Sequence, residues 1–451
     1  MSTATMEASA AAAVEEEAPT LAARVAAVCD LISQQRRESW WTSISARRVA
    51  TISAMIDDIA ATATEGRPRA GRRRRRMGSA GRYEEEGSLV EGGQAAVARA
   101  RHRATGEDVA VKTLRRRRNS THDVDGAGLL LREACFLAAC QGHPSVVAFR
   151  GVARAPPPAP PPPGAVRGRA YSLVMDFVGP SLEDVLRARW RRDQPLPERD
   201  VRRIMRQLLA GAEAMHALGI AHRDIKPANI LVGDGGAAVK LCDFGVAKSM
   251  AEHDPPYKIA GTLRYMAPEL LVQNPDHDTQ VDMWSLGCVM AELVDFVVIL
   301  FDGEDDAEQL RDIFKVVGVP GKTAWKALKP QVLDDEVRQW RERQKQVGRY
   351  SSCDLRHTFP EEMLSEDGFE VLKGLLTCNP KRRLTAAAAL RCRWFTANVD
   401  DGDAPFTASP AVAAVTEARS PVWMLPAAFA WKIAKSFAGR VLGLLRPKML
   451  V

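Results

Sequence analysis

An aspartate able to take a proton from a hydroxyl sits in His222-Arg223-Asp224-Ile225-Lys226-Pro227-Ala228-Asn229, and a second follows in Asp243-Phe244-Gly245. Asp224 has the chemistry of a general base. Asn229 and Asp243 offer hard oxygen ligands of the kind Mg²⁺ takes, with substrate phosphates and water completing the set. Upstream, a glycine-bearing turn at 90–95 separates two strand-like runs. Lys112 then closes Val109-Ala110-Val111-Lys112, 15 residues after Val97. Backbone N–H groups in such a turn can approach phosphates where side chains are small, and a lysine on the adjoining strand adds positive charge to the same phosphates. Arg132-Glu133 lies in a helical pattern over 127–140, where Glu133 could hold that ammonium by a charge-assisted hydrogen bond. Each feature alone has a bland reading: an aspartate as a helix cap, a glutamate as a surface charge. Their fixed order along one chain makes coincidence a poor account.

These residues need elements to carry them. From Tyr83 the sequence runs in short alternating stretches, such as Ala96-Val97-Ala98, that read as strands. Pro156 to Pro163, broken only by Ala159, reads as a loop: a stiff spacer or a ligand for a proline-binding module. Beyond about residue 180, amphipathic segments at 197–218, 279–294, 305–317, 366–377 and 384–393 read as helices. A small β-rich part thus precedes a larger helical part, an α+β arrangement.

Residues 1–82 form an N-terminal extension with helical spacing at about 20–36 and 42–61, then a basic run and a flexible linker at Gly78 to Gly81. Residues 396–451 form a C-terminal tail. There Phe429, Ile433, Phe437, Val441 and Leu444 recur at the spacing of an amphipathic helix, for a membrane surface, a calmodulin-like partner or the protein's own lobe.

Composition narrows the class. Hydrophobic residues are 46% and charged residues 26%, which excludes a collagen-like, wholly disordered or disulfide-stapled chain. Basic residues exceed acidic ones by 63 − 56 = 7, and Arg67, Arg69 and Arg72 to Arg76 alone match that surplus, so no nucleic-acid-binding surface is required. That run also reads as a nuclear import signal. Eight cysteines form no C-x-x-C pair and no zinc spacing, as expected of unpaired thiols in a reducing compartment. No run of 18 apolar residues occurs, and the first 20 residues, with Glu7 and Glu15 to Glu17, lack an apolar signal core. The expectation is an intracellular protein of nucleus and/or cytoplasm with no transmembrane segment.

On the residues quoted, the sequence resembles the eukaryotic protein kinases over about residues 83–395. The resemblance implies a two-lobed protein kinase fold, N-lobe about 83–175 and C-lobe about 179–395, with ATP in the cleft. Lys112 would contact the α/β phosphates and pair with Glu133, Asp224 would orient the substrate hydroxyl, and Asn229 and Asp243 would hold Mg²⁺. Val90, Gly92, Gly93 and Ala95 stand in the phosphate-covering loop, and Met175 at the gatekeeper position. Main-chain groups of Asp176 and Val178 would pair with adenine between Val97, Ala110 and Leu231. Lys226 and Thr262 match the serine/threonine-specific version of the catalytic machinery, so the implied substrate is a serine or threonine of a protein. Ala267-Pro268-Glu269 matches the end of the activation segment, with Arg383 as the partner of Glu269. Asp282 looks like the buried helix residue that holds the catalytic loop's backbone.

Within that family, Phe301-Asp302-Gly303-Glu304 and the stretch up to Gly318-Val319-Pro320 resemble the cyclin-dependent kinases, with 318–360 as that group's insert. Arg132, Arg223 and Lys248 match the pocket that receives an activation-segment phosphate there, so a phosphate or a carboxylate is expected in it. Several positions depart from the group. The cyclin-binding helix motif is Ala127-Gly128-Leu129-Leu130-Leu131-Arg132-Glu133, sharing only its last two residues, so dependence on a cyclin or other activator does not carry over with the resemblance. Tyr257 stands where the activating threonine is expected, Ser249 is another hydroxyl, and Glu252 or Asp254 could mimic the phosphate. Arg264 and Met266 replace the tryptophan and arginine that precede Ala-Pro-Glu, which puts proline-directed specificity in doubt. Val90 and Ala95 replace two loop glycines. That raises the alternative of a nucleotide-binding pseudokinase or scaffold, against which stand the retained polar catalytic groups.

Overall fold

The computed structural model describes residues 20–38, 46–64, 78–79, 82–91, 95–114, 126–154, 171–252, 259–295, 300–347 and 355–397. Gly92, Gly93, the basic runs at 67–76 and 115–118, the proline run, Asp254, Tyr257 and the tail helix expected near 429–445 lie outside them.

The chain opens with two helices, α1 (Leu21–Glu38) and α2 (Ala46–Ala63). On α1, Val25, Val28, Cys29 and Ile32 fall on one face, as Val49, Ile52, Ile56 and Ile59 do on α2, and all eight are buried. Arg24, early in α1, forms an ion pair with Asp58 and donates to Thr62 Oγ1 at 2.9 Å, both late in α2, so the helices run antiparallel as a hairpin. Burying each such side chain contributes about 1.5–3 kcal/mol.

A six-stranded sheet follows, in the order β1-β5-β6-β4-β3-β2. Its strands are β1 (Gly78–Ser79), β2 (Tyr83–Glu91), β3 (Ala95–His102), β4 (Asp108–Leu114), β5 (Phe149–Arg154) and β6 (Tyr171–Asp176). β1 pairs parallel with β5, so the stretch expected as a flexible linker supplies a short edge strand. Side chains alternate across a strand. Val109 and Val111 therefore join Ala100, Ala153 and Val174 in a small outer cluster, while Ala110 faces the main core with Leu173 and Met175. The same alternation puts Lys112 on the inner face beside Ala110. Between β4 and β5 lies α3 (Gly126–Ala139), which packs under the sheet.

The larger part is helical, built around α4 (Leu182–Arg191), α5 (Glu198–Ala217), α6 (Pro268–Leu271) and α7 (Gln280–Val294). Two short strand pairings thread between α5 and α6. β7 (Ile220–Ala221) pairs with β10 (Lys248–Ser249), and β8 (Ile230–Gly233) with β9 (Ala238–Leu241). α8 (Asp306–Val317) precedes the stretch read as the insert, 318–360, which holds α9 (Lys322–Ala327) and α10 (Asp334–Val347); Phe314 of α8 lies edge-on to Trp325 and Trp340. Of the closing helices α11 (Leu355–Thr358), α12 (Glu366–Leu375), α13 (Ala386–Leu390) and α14 (Arg393–Thr396), α13 lies within the segment read as helical at 384–393, while α14 starts at its last residue and runs beyond it. Cys392 turns extended between them. No helix of the described residues is long and apolar enough to cross a membrane.

Candidate active site

The site forms where the sheet meets the helical part. Lys112 on β4 extends its ammonium to Glu133 of α3, with Nζ 2.8 Å from both Oε1 and Oε2, and to Asp243 Oδ1, also at 2.8 Å. One ammonium is thus shared by two carboxylates. Burial lowers the Lys112 ammonium's pKa, but Glu133 and Asp243 outweigh that and hold it above its usual range. Burial raises the Glu133 carboxyl to about 6, with Lys112 opposing and Asp243 adding to the rise.

Asp243 adopts a left-handed backbone, φ 62°, just after β9. Strain of this kind costs on the order of 1–3 kcal/mol and persists where the surroundings enforce it. Phe244 supplies the enforcement: it is fully buried, with its ring centroid 4.8 Å from that of His222. A Cβ at Gly245 would crowd Asp243 Oδ1 at 3.1 Å, so a side chain there would press on the carboxylate that holds Lys112.

Between β7 and β8 the catalytic loop is fixed from below. Asp282, fully buried on α7, accepts hydrogen bonds from the backbone N–H groups of His222 and Arg223, each at 2.8 Å, and from His216 Nε2 at 2.9 Å. Burial would raise the Asp282 carboxyl, but His216, His222 and the Arg223 N–H outweigh it and hold the group below its usual 3.8. Arg223 is left-handed, φ 68°. Gly261 passes so close that a Cβ would meet the Arg223 carbonyl oxygen at 2.6 Å, so only glycine fits.

On this platform three donors converge on Asp224. Asn229 Nδ2 reaches Oδ2 at 2.9 Å, Lys226 Nζ reaches Oδ2 at 2.9 Å, and Thr262 Oγ1 reaches Oδ1 at 2.6 Å. Lys226 Nζ also donates to Thr262 Oγ1 at 2.7 Å. An ionised carboxylate accepts about four hydrogen bonds, so one acceptor position is left for an incoming hydroxyl. With its amide nitrogen committed to Asp224, Asn229 would offer a cation its carbonyl oxygen. That oxygen and the Asp243 carboxylate would be hard ligands of the kind that suits Mg²⁺ bound jointly with phosphates.

The residues expected around adenine lie on or next to strands β3, β4, β6 and β8. Val97 pairs in register with Lys112 and Ala110 with Met175, while Asp176 and Val178 follow at the end of β6 and Leu231 lies on β8. Arg150 forms an ion pair with Asp176, and the Arg99 guanidinium lies 4.7 Å over the Phe177 ring. Val90, the last residue but one of β2, pairs in register with Val97, and Ala95 opens β3.

The anion pocket holds Arg132, Arg223 and Lys248 near Glu252. Arg132 forms a buried two-pronged ion pair with Glu252, the Nη2–Oε2 contact at 3.0 Å, and donates to the Ala247 carbonyl at 3.2 Å. Burial and the Arg132 charge push the Arg223 guanidinium down to about 10, and burial and Arg223 push Lys248 down. Of the hydroxyls considered for this pocket, Ser249 is buried in β10. Glu269 and Arg383 form a second buried pair, at 2.6 and 2.9 Å.

The sequence marks Arg264 only as a departure from the group and does not show its partner: it forms an ion pair with Asp302 at 2.6 Å, and the next residue, Tyr265, donates its hydroxyl to Glu292 at 2.9 Å. It also missed what covers α3. The signal was there: apart from Arg132 and Glu133, every residue from Leu129 to Cys140 is apolar, and the structure buries all of them from Leu130 to Ala139. A helix apolar all round has neighbours all round.

Fold and site together define a two-lobed phosphotransfer scaffold, and the comparisons agree. The protein kinase domain family profile matches residues 83–395, and the chain belongs to that family. It is a cyclin-dependent-kinase-like serine/threonine protein kinase. A protein of Oryza sativa subsp. japonica provisionally named cyclin-dependent kinase F-2 is 43% identical over 333 residues, 73% of this chain and 93% of its own. Cyclin-dependent kinase G-2 of Oryza sativa subsp. indica is 34% identical over 326 residues, 69% of this chain and 41% of its own. Cyclin-dependent kinase G1 of Arabidopsis thaliana is 33% identical over 327 residues, 70% of this chain and 49% of its own. The chain spans less than half the length of these last two. Nothing in the comparisons supports the pseudokinase alternative.

Proposed function

We propose that this chain transfers the γ-phosphate of Mg²⁺-bound ATP to serine and threonine hydroxyls of proteins, with Asp224 receiving the hydroxyl proton. The observation that carries the reading is the convergence of Lys226, Asn229 and Thr262 on Asp224, beside a formed Lys112–Glu133 pair. The substrate oxygen attacks the γ-phosphorus, the bond to the β,γ-bridging oxygen breaks, and ADP leaves. Asp224 orients the hydroxyl and takes its proton, which is worth about 10²–10⁴ in rate. Lys226, within reach of both Asp224 and Thr262, carries positive charge to the transferring phosphoryl oxygens. Asn229 and Asp243 would hold Mg²⁺, which when bound neutralises charge on the β- and γ-phosphates. Lys112 holds the α/β phosphates, and Glu133 keeps Lys112 in place.

Glu252 fills the role of the activation-segment phosphate in this reading, so phosphorylation of Tyr257 is not required. The Arg264–Asp302 pair supports substrates without a following proline. The run Arg67 to Arg76 supports action in the nucleus and/or cytoplasm, which a fluorescent fusion with those arginines replaced would test.

The direct test is phosphate transfer by purified full-length chain to a serine/threonine peptide library. Asp224→Asn should lower kcat by at least about 100-fold with little change in ATP affinity. Equal transfer by both proteins would end the assignment of Asp224.

A further inference from the structure

We infer that the α1–α2 hairpin is a built-in activator: it clamps α3 in the position that holds Glu133 on Lys112, so that a separate activating subunit is neither needed at this face nor able to reach it. The inference rests on the kinase reading above.

α3 carries two residues on which the site depends, and they reach in different directions. Glu133 holds the ammonium of Lys112, and its neighbour Arg132 holds Glu252 of the activation segment. A small displacement of α3 would loosen both contacts at once. The sheet and the helical part contact α3 from within. What remains of its surface is taken by this chain's own residues, for both α1 and α2 pack on it. Val25, Val28, Cys29 and Ile32 from α1 and Val49, Ile52, Ile56 and Ile59 from α2 share one continuous core with Leu130, Leu131, Ala134, Cys135 and Leu137. The Cys29 thiol meets the Cys135 thiol across that seam. α1 also lies beside β10, the strand that opens the activation segment next to the Arg132–Glu252 pair.

The hairpin is itself fastened, by the Arg24–Asp58 ion pair and the Arg24–Thr62 hydrogen bond. Its contacts are buried and aliphatic, the character of a permanent interface rather than a transient one. An activator that works by pressing on this helix must displace eight buried side chains to do so.

The experiment uses the full chain and the variant Ile52→Asp/Ile56→Asp, which places charge in the seam. Two readouts are taken: kcat for peptide phosphorylation without any cyclin, and hydrogen exchange of the α3 amides, with α5 and α7 amides as the control for folding. Wild type active alone, with a kcat fall of tenfold or more and faster α3 exchange in the variant while α5 and α7 stay protected, is the expected result. The graded series Ile52→Val, Ile56→Val and Ile56→Ala should show kcat falling in step with α3 protection, and it serves if the charged pair does not fold. A variant with exposed α3 amides and kcat within twofold of wild type overturns the inference. So does a wild type whose kcat rises tenfold or more on addition of any member of a cyclin panel. A wild type that transfers no phosphate under any condition, while the variant still loses α3 protection, would refute the catalytic reading and leave the clamp standing.

Discussion

Asp282 gives its two oxygens to the backbone N–H groups of His222 and Arg223, a task that an amide cannot share equally. In Asp282→Asn one of those N–H groups must face an NH₂ or lose its partner, a cost of about 1–3 kcal/mol for a buried donor. We expect kcat to fall by about 100-fold with ATP affinity little changed, read in steady-state kinetics. The sign of the pH effect follows from the depressed carboxyl. Its stabilisation is fully present above 3.8, the ordinary value, and is lost as pH falls through the lower folded value. Acid unfolding of wild type should therefore include a loss that Asp282→Asn lacks, and superimposable acid limbs would contradict this.

Glu252 makes a second residue-level case. Removing one partner of a buried ion pair costs about 3–5 kcal/mol. Glu252→Ala should cost that much in denaturant unfolding and lower activity, and inorganic phosphate should restore part of the loss. Unchanged stability and activity would show that the pocket does not depend on this carboxylate. The polar catalytic groups were legible because their chemistry is written in residue type and order. The choice among Ser249, Tyr257, Glu252 and Asp254 for the pocket was not, because it depends on how the chain turns after β10.

At the scale of elements, the short segment from Thr262 to Ala267 links the catalytic loop to α6. Thr262 binds Asp224 and Lys226, while two residues on Arg264 turns to Asp302, just before α8. The side chain at 264 is thereby directed to an acidic partner. Peptide libraries should show less than about threefold preference for proline after the acceptor, since a single good apolar contact is worth about 10-fold or more. A strong proline preference would show that specificity is set by another element. Strand alternation around Lys112 and the helical spacing of α5, α7 and α8 could be read from the sequence because periodicity reports a buried face. The start of α14 at Arg393 could not, since it follows an extended backbone at Cys392 and not any change in periodicity.

For the whole molecule, the decisive feature is that the N-terminal helices and the kinase lobes share a core. Helical spacing over about 20–36 and 42–61 shows in the sequence, but periodicity tells only that a face is buried, never against what. The apolar girth of α3 was the other half of that information, and only the fold joins the two. Ile56→Ala should cost about 2–5 kcal/mol, as for any fully buried isoleucine. If the hairpin were a separate unit, that cost would appear in a distinct early transition and not in the unfolding of the lobes. Tethering has a further consequence. A regulator joined to its target by a few tens of residues meets it at millimolar effective concentration, whatever the concentration of the chain. Dilution, competition and the rise and fall of a second gene product then have no hold on the activity. Output scales linearly with the number of copies made, and its duration is the lifetime of one polypeptide.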